Sequence, residues 1–253
     1  MMRIVFLGTG TAIPLKERRC AGIYLESEGR RILLDMGPGV LGRLAEAGID
    51  YLSLSAIFIT HFHPDHILDL FAYLFALRNP DYPRQKPLYL FGAKGLKELL
   101  EKMNQIFSGW FLPRGYELIL EELPSDRAHH ILFQGIKVIS IPVFHSDSSL
   151  GYRLELEGKV IAYSGDCGDC PELRELGADA DLLILEASWA EEKETREHLT
   201  PAQAGKIAQE SEAKRLALVH FYPKVLETDT KSQVEEHFSG RVIIAEDLLE
   251  ILL

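Results

Sequence analysis

Between positions 61 and 66 the chain reads His61-Phe62-His63-Pro64-Asp65-His66, which puts four metal-ligand side chains into one short run. Neutral imidazole and carboxylate are the donors that zinc, manganese and iron accept. The run follows Ser55–Thr60, an apolar stretch of strand character. Strand side chains alternate faces, so His61 and His63 can point the same way where the strand ends. Asp65 and His66 then lie on the turn into the next segment and face the other side of the same hole. One short loop can therefore offer two ligands to each of two adjacent metal ions. A single histidine at a strand end is ordinarily a polar loop residue; four ligand types in this pattern point to a metal centre.

Such a loop needs a rigid frame, and the rest of the sequence reads as one. Arg3–Leu7, Gly22–Glu26 and Arg31–Asp35 are short apolar or β-branched runs separated by glycines and charged turns, the pattern of strands. From Ile67 to Leu77 the apolar residues recur at helical spacing, which predicts a helix that starts within the histidine run. Pro80, Pro83 and Pro87 mark a loop, followed by a strand at Leu88–Phe91 and a helix over Lys94–Phe107. Tyr116–Tyr163 holds four or five strands with Gly135, Gly151 and Gly158 at turns. A strand at Asp181–Glu186, a helix at Pro201–Ser211, strands at Arg215–His220 and Arg241–Ala245, and a brief amphipathic tail complete the reading. Two similar blocks of strands and helices meet near Glu121, which predicts an α/β fold whose two-layer sheet core is covered by helices on both outer faces. We read residues 1–253 as a single domain without linker or solenoid repeat.

Composition narrows the partners. With 47% hydrophobic and 26% charged residues the chain has the makeup of a folded globular protein and not of a disordered one. Its formal net charge of -11 counts against general binding to a polyanion, although bound cations can supply positive charge locally. Three cysteines, Cys20, Cys167 and Cys170, are too few and odd in number for a disulfide framework, which suits a reducing compartment; the expected location is the cytoplasm. No apolar run approaches the roughly 18 residues that span a bilayer. The apolar opening Met1–Leu7 stops at Gly8-Thr9-Gly10, too soon for a signal peptide.

The histidine run resembles the HxHxDH signature of the metallo-β-lactamase superfamily, and further donors follow it in order at strand ends. His145 follows Val138–Phe144, Asp166 follows Val160–Gly165, and His220 follows Leu216–Val219. The resemblance spans nearly the whole chain. It implies a four-layer αββα sandwich, with two mixed sheets flanked by helices. It also implies two divalent metal ions, zinc or alternatively manganese. One would take His61, His63 and His145, the other Asp65, His66 and His220, with Asp166 bridging. Asp35, in Leu33-Leu34-Asp35-Met36-Gly37, matches the family's early aspartate, which buttresses the histidine loop.

Within that superfamily the opening Phe6-Leu7-Gly8-Thr9-Gly10-Thr11-Ala12-Ile13-Pro14 is similar to the ribonuclease Z-like phosphodiesterases. So are Leu183-Ile184-Leu185-Glu186-Ala187-Ser188 and His198-Leu199-Thr200 before an alanine-rich helix. The similarity implies that His198 lies near the scissile phosphate with Glu186 behind it. A helix-flanking surface histidine is the plainer reading of His198, and Thr200 also reads as an N-cap ahead of Pro201. The implied reaction is attack by a metal-bridged hydroxide on a phosphodiester, an RNA end or a small or cyclic diester. Asp65 would orient the water and take its proton, and His198 would serve the departing oxygen.

Two departures count against transfer-RNA processing. Only two strands and a turn fit between His145 and Asp166, where the tRNA enzymes carry a protruding arm, and Phe221-Tyr222-Pro223-Lys224 replaces their Ser-x-Arg-Tyr ending. Hydrolysis of thioesters, lactones or β-lactams on the same scaffold, and a non-catalytic binding module, are the competing readings. A homodimer is a family expectation only. Gly8-Thr9-Gly10 lacks the third glycine and helix of a dinucleotide fingerprint and reads as a turn near the site mouth. Cys167-Gly168-Asp169-Cys170 has half the ligands of a structural zinc site and reads as buried thiols. Lys16, Arg18 and Arg19 fit either a small phosphate-binding rim or a solvated loop.

Overall fold

The computed structural model describes residues 1–191, 193 and 196–253. Its first sheet is built by β1 (Arg3–Gly8), β2 (Gly22–Ser27), β3 (Arg30–Leu34), β4 (Ala56–Phe58), β5 (Leu88–Ala93) and β6 (Leu118–Leu123). Helices α1 (Val40–Glu46), α2 (Pro64–Ala76) and α3 (Leu96–Ile106) connect its later strands. The second sheet takes β7 (His129–Phe133), β8 (Ile136–Pro142), β9 (Leu150–Leu156), β10 (Lys159–Tyr163), β11 (Leu182–Glu186), β12 (Arg215–Val219) and β13 (Arg241–Ile244). Its connections carry α4 (Glu172–Gly177), α5 (Pro201–Glu210), α6 (Pro223–Leu226) and α7 (Thr230–Glu235). The chain then returns to the first sheet as β14 (Glu250–Leu252), which pairs antiparallel with β1.

Both sheets have the same internal grammar. The order β14-β1-β2-β3-β4-β5-β6 is antiparallel up to β3 and parallel from β3 to β6. The order β7-β8-β9-β10-β11-β12-β13 is antiparallel up to β10 and parallel beyond it. Three of the antiparallel connections are two-residue turns, Glu28-Gly29, Gln134-Gly135 and Glu157-Gly158, each with both residues at positive φ, as the twist of a tight hairpin requires.

Alternation along single strands builds the layers. In β11, Leu182 and Ile184 face the other sheet while Leu183 and Leu185 face helices. In β1, Ile4 and Phe6 join the same central layer, and Val5 and Leu7 pack under the helices of the first sheet. Strands apolar on both faces belong between two covering layers, and the result is the four-layer αββα sandwich. Phe58 stacks on Phe91 at 4.5 Å between centroids and meets Tyr152 of the opposite sheet edge-on at 5.2 Å. The sheets also bond directly at one end: Tyr152 donates to the Ile59 carbonyl (2.7 Å) and the Leu150 amide to that of Thr60 (2.9 Å).

The expected elements recur, with helices α1 and α4 added to them and two segments refined. The amphipathic tail is β14, and the segment after His220 folds into the short helices α6 and α7. Among the described residues no helix is long and apolar enough to cross a membrane.

At the opposite end from the histidine run, Asp181 ties three strands in register. Its carboxylate accepts from the Val160 amide (3.0 Å), Lys214 (2.9 Å) and Lys159 (3.3 Å). Burial alone would raise its pKa, but these donors hold it below the usual carboxylate range. A depressed folded pKa stabilises in full above the unfolded value of about 3.9 and is lost as pH falls through the folded one. Asp181→Asn is therefore expected to cost about 1 kcal/mol at neutral pH. Urea unfolding should show that deficit shrinking as pH falls below the ordinary aspartate range; a deficit independent of pH would contradict the charge assignment.

Candidate metal centre

The titratable side chains gather where the parallel strands of both sheets end. Asp35 follows β3, His61 lies just beyond β4, Asp166 follows β10, Glu186 closes β11 and His220 follows β12; His145 lies beyond the antiparallel β8. Two of these strand-end residues, Asp35 (φ 60°) and His220 (φ 58°), hold the left-handed conformation, which non-glycine residues adopt only where surrounding contacts enforce it. Gly37 makes the next turn sterically feasible: a Cβ there would sit 1.9 Å from the Asp65 carbonyl oxygen. That close pass lets the Met36 amide donate to the His66 carbonyl (2.8 Å) and locks the start of α2 against β3.

The donor atoms fall into two groups that share one carboxylate. Donors of His61, His63, His145 and Asp166 lie within 4.8 Å of one another, and so do those of Asp65, His66 and His220. Asp166 reaches both. Its Oδ2 is 3.9 Å from His61 Nε2 and 3.8 Å from His145 Nε2; its Oδ1 is 3.2 Å from His66 Nε2 and 3.3 Å from His220 Nε2. His145 Nε2 lies 3.1 Å from His63 Nδ1, and His220 Nε2 lies 3.3 Å from Asp65 Oδ2. Two buried atoms inside this cluster, His61 Nε2 and Asp166 Oδ1, make no hydrogen bond. A buried polar atom without a partner is costly, and a cation at each group is what this donor set fits.

The far side of each imidazole explains its orientation. His61 Nδ1 donates to Thr60 Oγ1 (3.0 Å), and that hydroxyl donates to Asp35 Oδ2 (2.8 Å). His220 Nδ1 donates to Ser188 Oγ (2.9 Å), and that hydroxyl donates to Glu186 Oε2. These directions follow because an ionised carboxylate only accepts. His66 Nδ1 donates to Asp35 directly (2.8 Å), and His145 Nδ1 donates to the Glu197 carbonyl (3.0 Å). Four rings thus have Nδ1 committed outward and Nε2 turned toward the cluster, while His63 presents Nδ1. Asp35, fully buried, also accepts from the Thr60 amide (2.8 Å) and the Tyr163 hydroxyl (2.9 Å).

The electrostatics favour ligation. Burial, reinforced by His66, pushes the His61 imidazole well below its ordinary pKa and keeps it neutral. Burial opposes ionisation of Asp166, yet His220 and His66 outweigh it and hold the carboxyl well below its usual range. Asp65 is likewise brought to about 2, His220 and His66 overcoming the burial penalty. His66 runs the other way: burial opposes its charge, but Asp166 and Asp35 outweigh it and raise the imidazole well above its ordinary pKa, so a divalent cation would displace a proton there.

His198 stands at the edge of the cluster. Its Nδ1 bonds Glu186 at 2.9 and 3.1 Å, and its ring lies 4.9 Å from that of His145. Burial would depress its pKa, but the Glu186 carboxylate raises it to about 8. Glu186 is fully buried and also accepts from the Cys167 amide (2.6 Å). Thr200 forms a reciprocal capping box with Gln203, so the residue two places after His198 starts α5 and fixes the histidine's approach.

The candidate metal ligands from the sequence therefore converge on one cluster, with Asp35, Glu186 and His198 against it. Thr60, Tyr163 and Ser188 had drawn no role; a hydroxyl adjoining His61 and another two places after Glu186 are the only signals they leave. The contacts of the basic trio go to the chain itself. Arg18 bonds the Ala245 carbonyl (2.7 Å) and lies over Phe221, Arg19 bonds the carbonyls of Leu15 (3.4 Å) and Lys16 (3.2 Å), and exposed Lys16 pairs with Glu17. Cys167 is fully buried, with burial and then Glu186 pushing its thiol well above its ordinary pKa, so it behaves as an inert core residue.

The hydroxyl bridges generate a test. Thr60→Ala is expected to weaken zinc binding about 10–100-fold in competition with a chromogenic chelator, whereas Thr60→Ser retains it. Equal affinity in all three proteins would mean that packing alone orients His61.

Residues 30–221 match the family model described as the beta-lactamase superfamily domain. The chain is similar to ribonuclease Z of Thermococcus sibiricus, with 28% identity over 298 aligned positions covering 98% of this chain and 95% of the relative. It is also similar in structure to the metallo-beta-lactamase fold protein YhfI from Bacillus subtilis, with a TM-score of 0.84 at 22% identity covering 99% of this chain and 98% of that one. Human tRNase Z, short form, superposes with a TM-score of 0.81 at 25% identity over 99% of this chain and 98% of its own.

Proposed function

Because the chain belongs to the beta-lactamase superfamily, we propose that it is a metal-dependent phosphodiesterase acting on RNA ends or on small or cyclic phosphodiesters. The observation that carries this reading is His198 on Glu186 at the rim of the donor cluster, where donors of Asp166, His198 and His220 lie within 4.8 Å of one another. His61, His63 and His145 would hold one cation, Asp65, His66 and His220 the other, and Asp166 both; zinc suits these donors, as does manganese. Two bound divalent ions lower the pKa of water and neutralise the charge of a phosphodiester.

The chain's own residues supply the rest. Asp65 has Oδ2 fixed by the Ala12 amide (3.1 Å), and it is the carboxylate suited to orient the attacking water and accept its proton. His198 Nδ1 is committed to Glu186, so its Nε2 is the atom available to protonate the departing oxygen. Carboxyl-ester chemistry does not require that pair, and the carboxylate behind the ring favours the phosphodiester reading over thioester, lactone or β-lactam hydrolysis.

The shape of the chain favours small diesters or short RNA ends over a folded RNA. Residues between His145 and Asp166 form only β9, β10 and their tight turn. The alignment with the archaeal relative runs to 298 positions against 253 residues here, so that enzyme carries several dozen residues with no counterpart in this chain. The free thiols of Cys20, Cys167 and Cys170 support a reducing, cytoplasmic setting. A homodimer would have the half-exposed aromatic face of Phe75, Phe107 and Trp110 to bury.

Zinc- or manganese-loaded protein is expected to hydrolyse bis-p-nitrophenyl phosphate, and dialysis against a chelator to abolish turnover until metal is restored. His198→Ala should lower kcat about 10²–10⁴-fold while metal content by elemental analysis stays at the parent level. Turnover of thioesters or lactones with none of the diester would overturn the assignment.

A further inference from the structure

Beside the donor cluster opens a cavity of about 560 Å³, within the range of pockets that take small ligands. His198 forms the wall it shares with the metal centre. Beyond that ring the walls are aromatic. Trp189 lies 5.2 Å from His198, centroid to centroid, at 67° between planes, and Tyr222 lies 6.1 Å from it on another side at 73°. Ile13 and Pro223 complete the apolar lining. Trp189 is only 9% exposed, and its amide bonds the Leu199 carbonyl (3.1 Å), so its position is fixed by the backbone beside His198.

The charges at the mouth are internally balanced. Lys224 pairs with Glu191 at 3.1 Å, and the Lys193 ammonium sits 4.7 Å over the Trp189 ring. No arginine lines the cavity among the described residues. A pocket of this kind has no surplus cation for a second phosphate. It offers the Tyr222 ring to stack on beside Trp189, with the Glu197 carboxylate as an acceptor and the Tyr222 hydroxyl as donor or acceptor in its lining.

We infer that this cavity binds the nucleoside on the leaving side of the scissile phosphodiester, its base stacked on Tyr222 and bordered by Trp189. The inference rests on the phosphodiesterase reading for the direction of departure. His198 faces the cluster on one side and this cavity on the other, so an oxygen leaving at His198 carries its substituent into the aromatic pocket.

The chain has two tryptophans, and Trp110 is 53% exposed on the outer aromatic face, so Trp110→Phe leaves Trp189 as the sole indole reporter. Metal-loaded Trp110→Phe protein is titrated with AMP and, separately, with ribose 5-phosphate, reading Trp189 emission and, for both ligands, calorimetric affinity. AMP is expected to perturb the emission saturably and to bind at least about tenfold tighter than ribose 5-phosphate. Adding Tyr222→Ala should weaken AMP about tenfold or more, while Tyr222→Phe retains the affinity because the stacking face survives. Equal affinities for the two ligands, or AMP binding indifferent to Tyr222→Ala, would overturn the inference.

Turnover of bis-p-nitrophenyl phosphate in the same preparation separates the two readings. Diesterase activity without a preference for AMP removes the nucleoside pocket alone; a Tyr222-dependent preference for AMP without diester turnover keeps the pocket and removes the catalytic reading. Comparing kcat/KM for 2′,3′-cyclic AMP with that for a trinucleotide 2′,3′-cyclic phosphate then tells whether a free nucleotide or an RNA end supplies the base.

Discussion

A buried carboxylate is costly unless donors fill its oxygens, and Asp35 shows how much structure one such group can organise. Its oxygens accept from the Thr60 amide and hydroxyl, from His66 and from Tyr163. Thr60 and His66 belong to the first sheet's end and the helix that leaves it, whereas Tyr163 ends β10 in the second sheet. The same group therefore couples the two sheets, fixes the tautomer of His66 and, through Thr60, that of His61. Its left-handed backbone is the strain that brings the carboxylate into this position.

Glu186 repeats the device in the other sheet. It closes β11, is fully buried, and reaches His220 through Ser188 as Asp35 reaches His61 through Thr60. Its second duty differs: it holds His198, a ring at the edge of the cluster. One carboxylate serves the frame alone, the other the frame and the His198 ring. The Nε2 atoms face inward because the opposite nitrogens are engaged, so the geometry of the centre is encoded in residues that touch no ligand position.

Much of this was legible in the sequence because metal ligation is a local, type-restricted demand. His61 to His66 carry the signal in one run, and His145, Asp166 and His220 stand at the ends of apolar strands that periodicity identifies. The layering was legible for the same reason, since β1 and β11 are apolar on both faces. The supporting hydroxyls were not. Thr60, Ser188 and Tyr163 acquire their role only when partners far apart in the chain meet, and a serine or threonine in a strand has many ordinary uses. Arg18 and Arg19 stayed open between two readings for a related reason: their partners are backbone carbonyls that no residue pattern reveals.

The pairing of β14 with β1 has a kinetic side. Arg3 lies opposite Leu252, and the Thr9 and Arg19 amides are both held by Asp247, so the loop that presents Ala12 to Asp65 is fastened by contacts spanning nearly the whole sequence. Contacts of such separation carry a high loop-closure cost and form late. Until they do, β1 presents an uncovered edge, the kind that recruits other chains. Closing the centre thus carries the entropy cost of a loop that runs nearly the length of the chain.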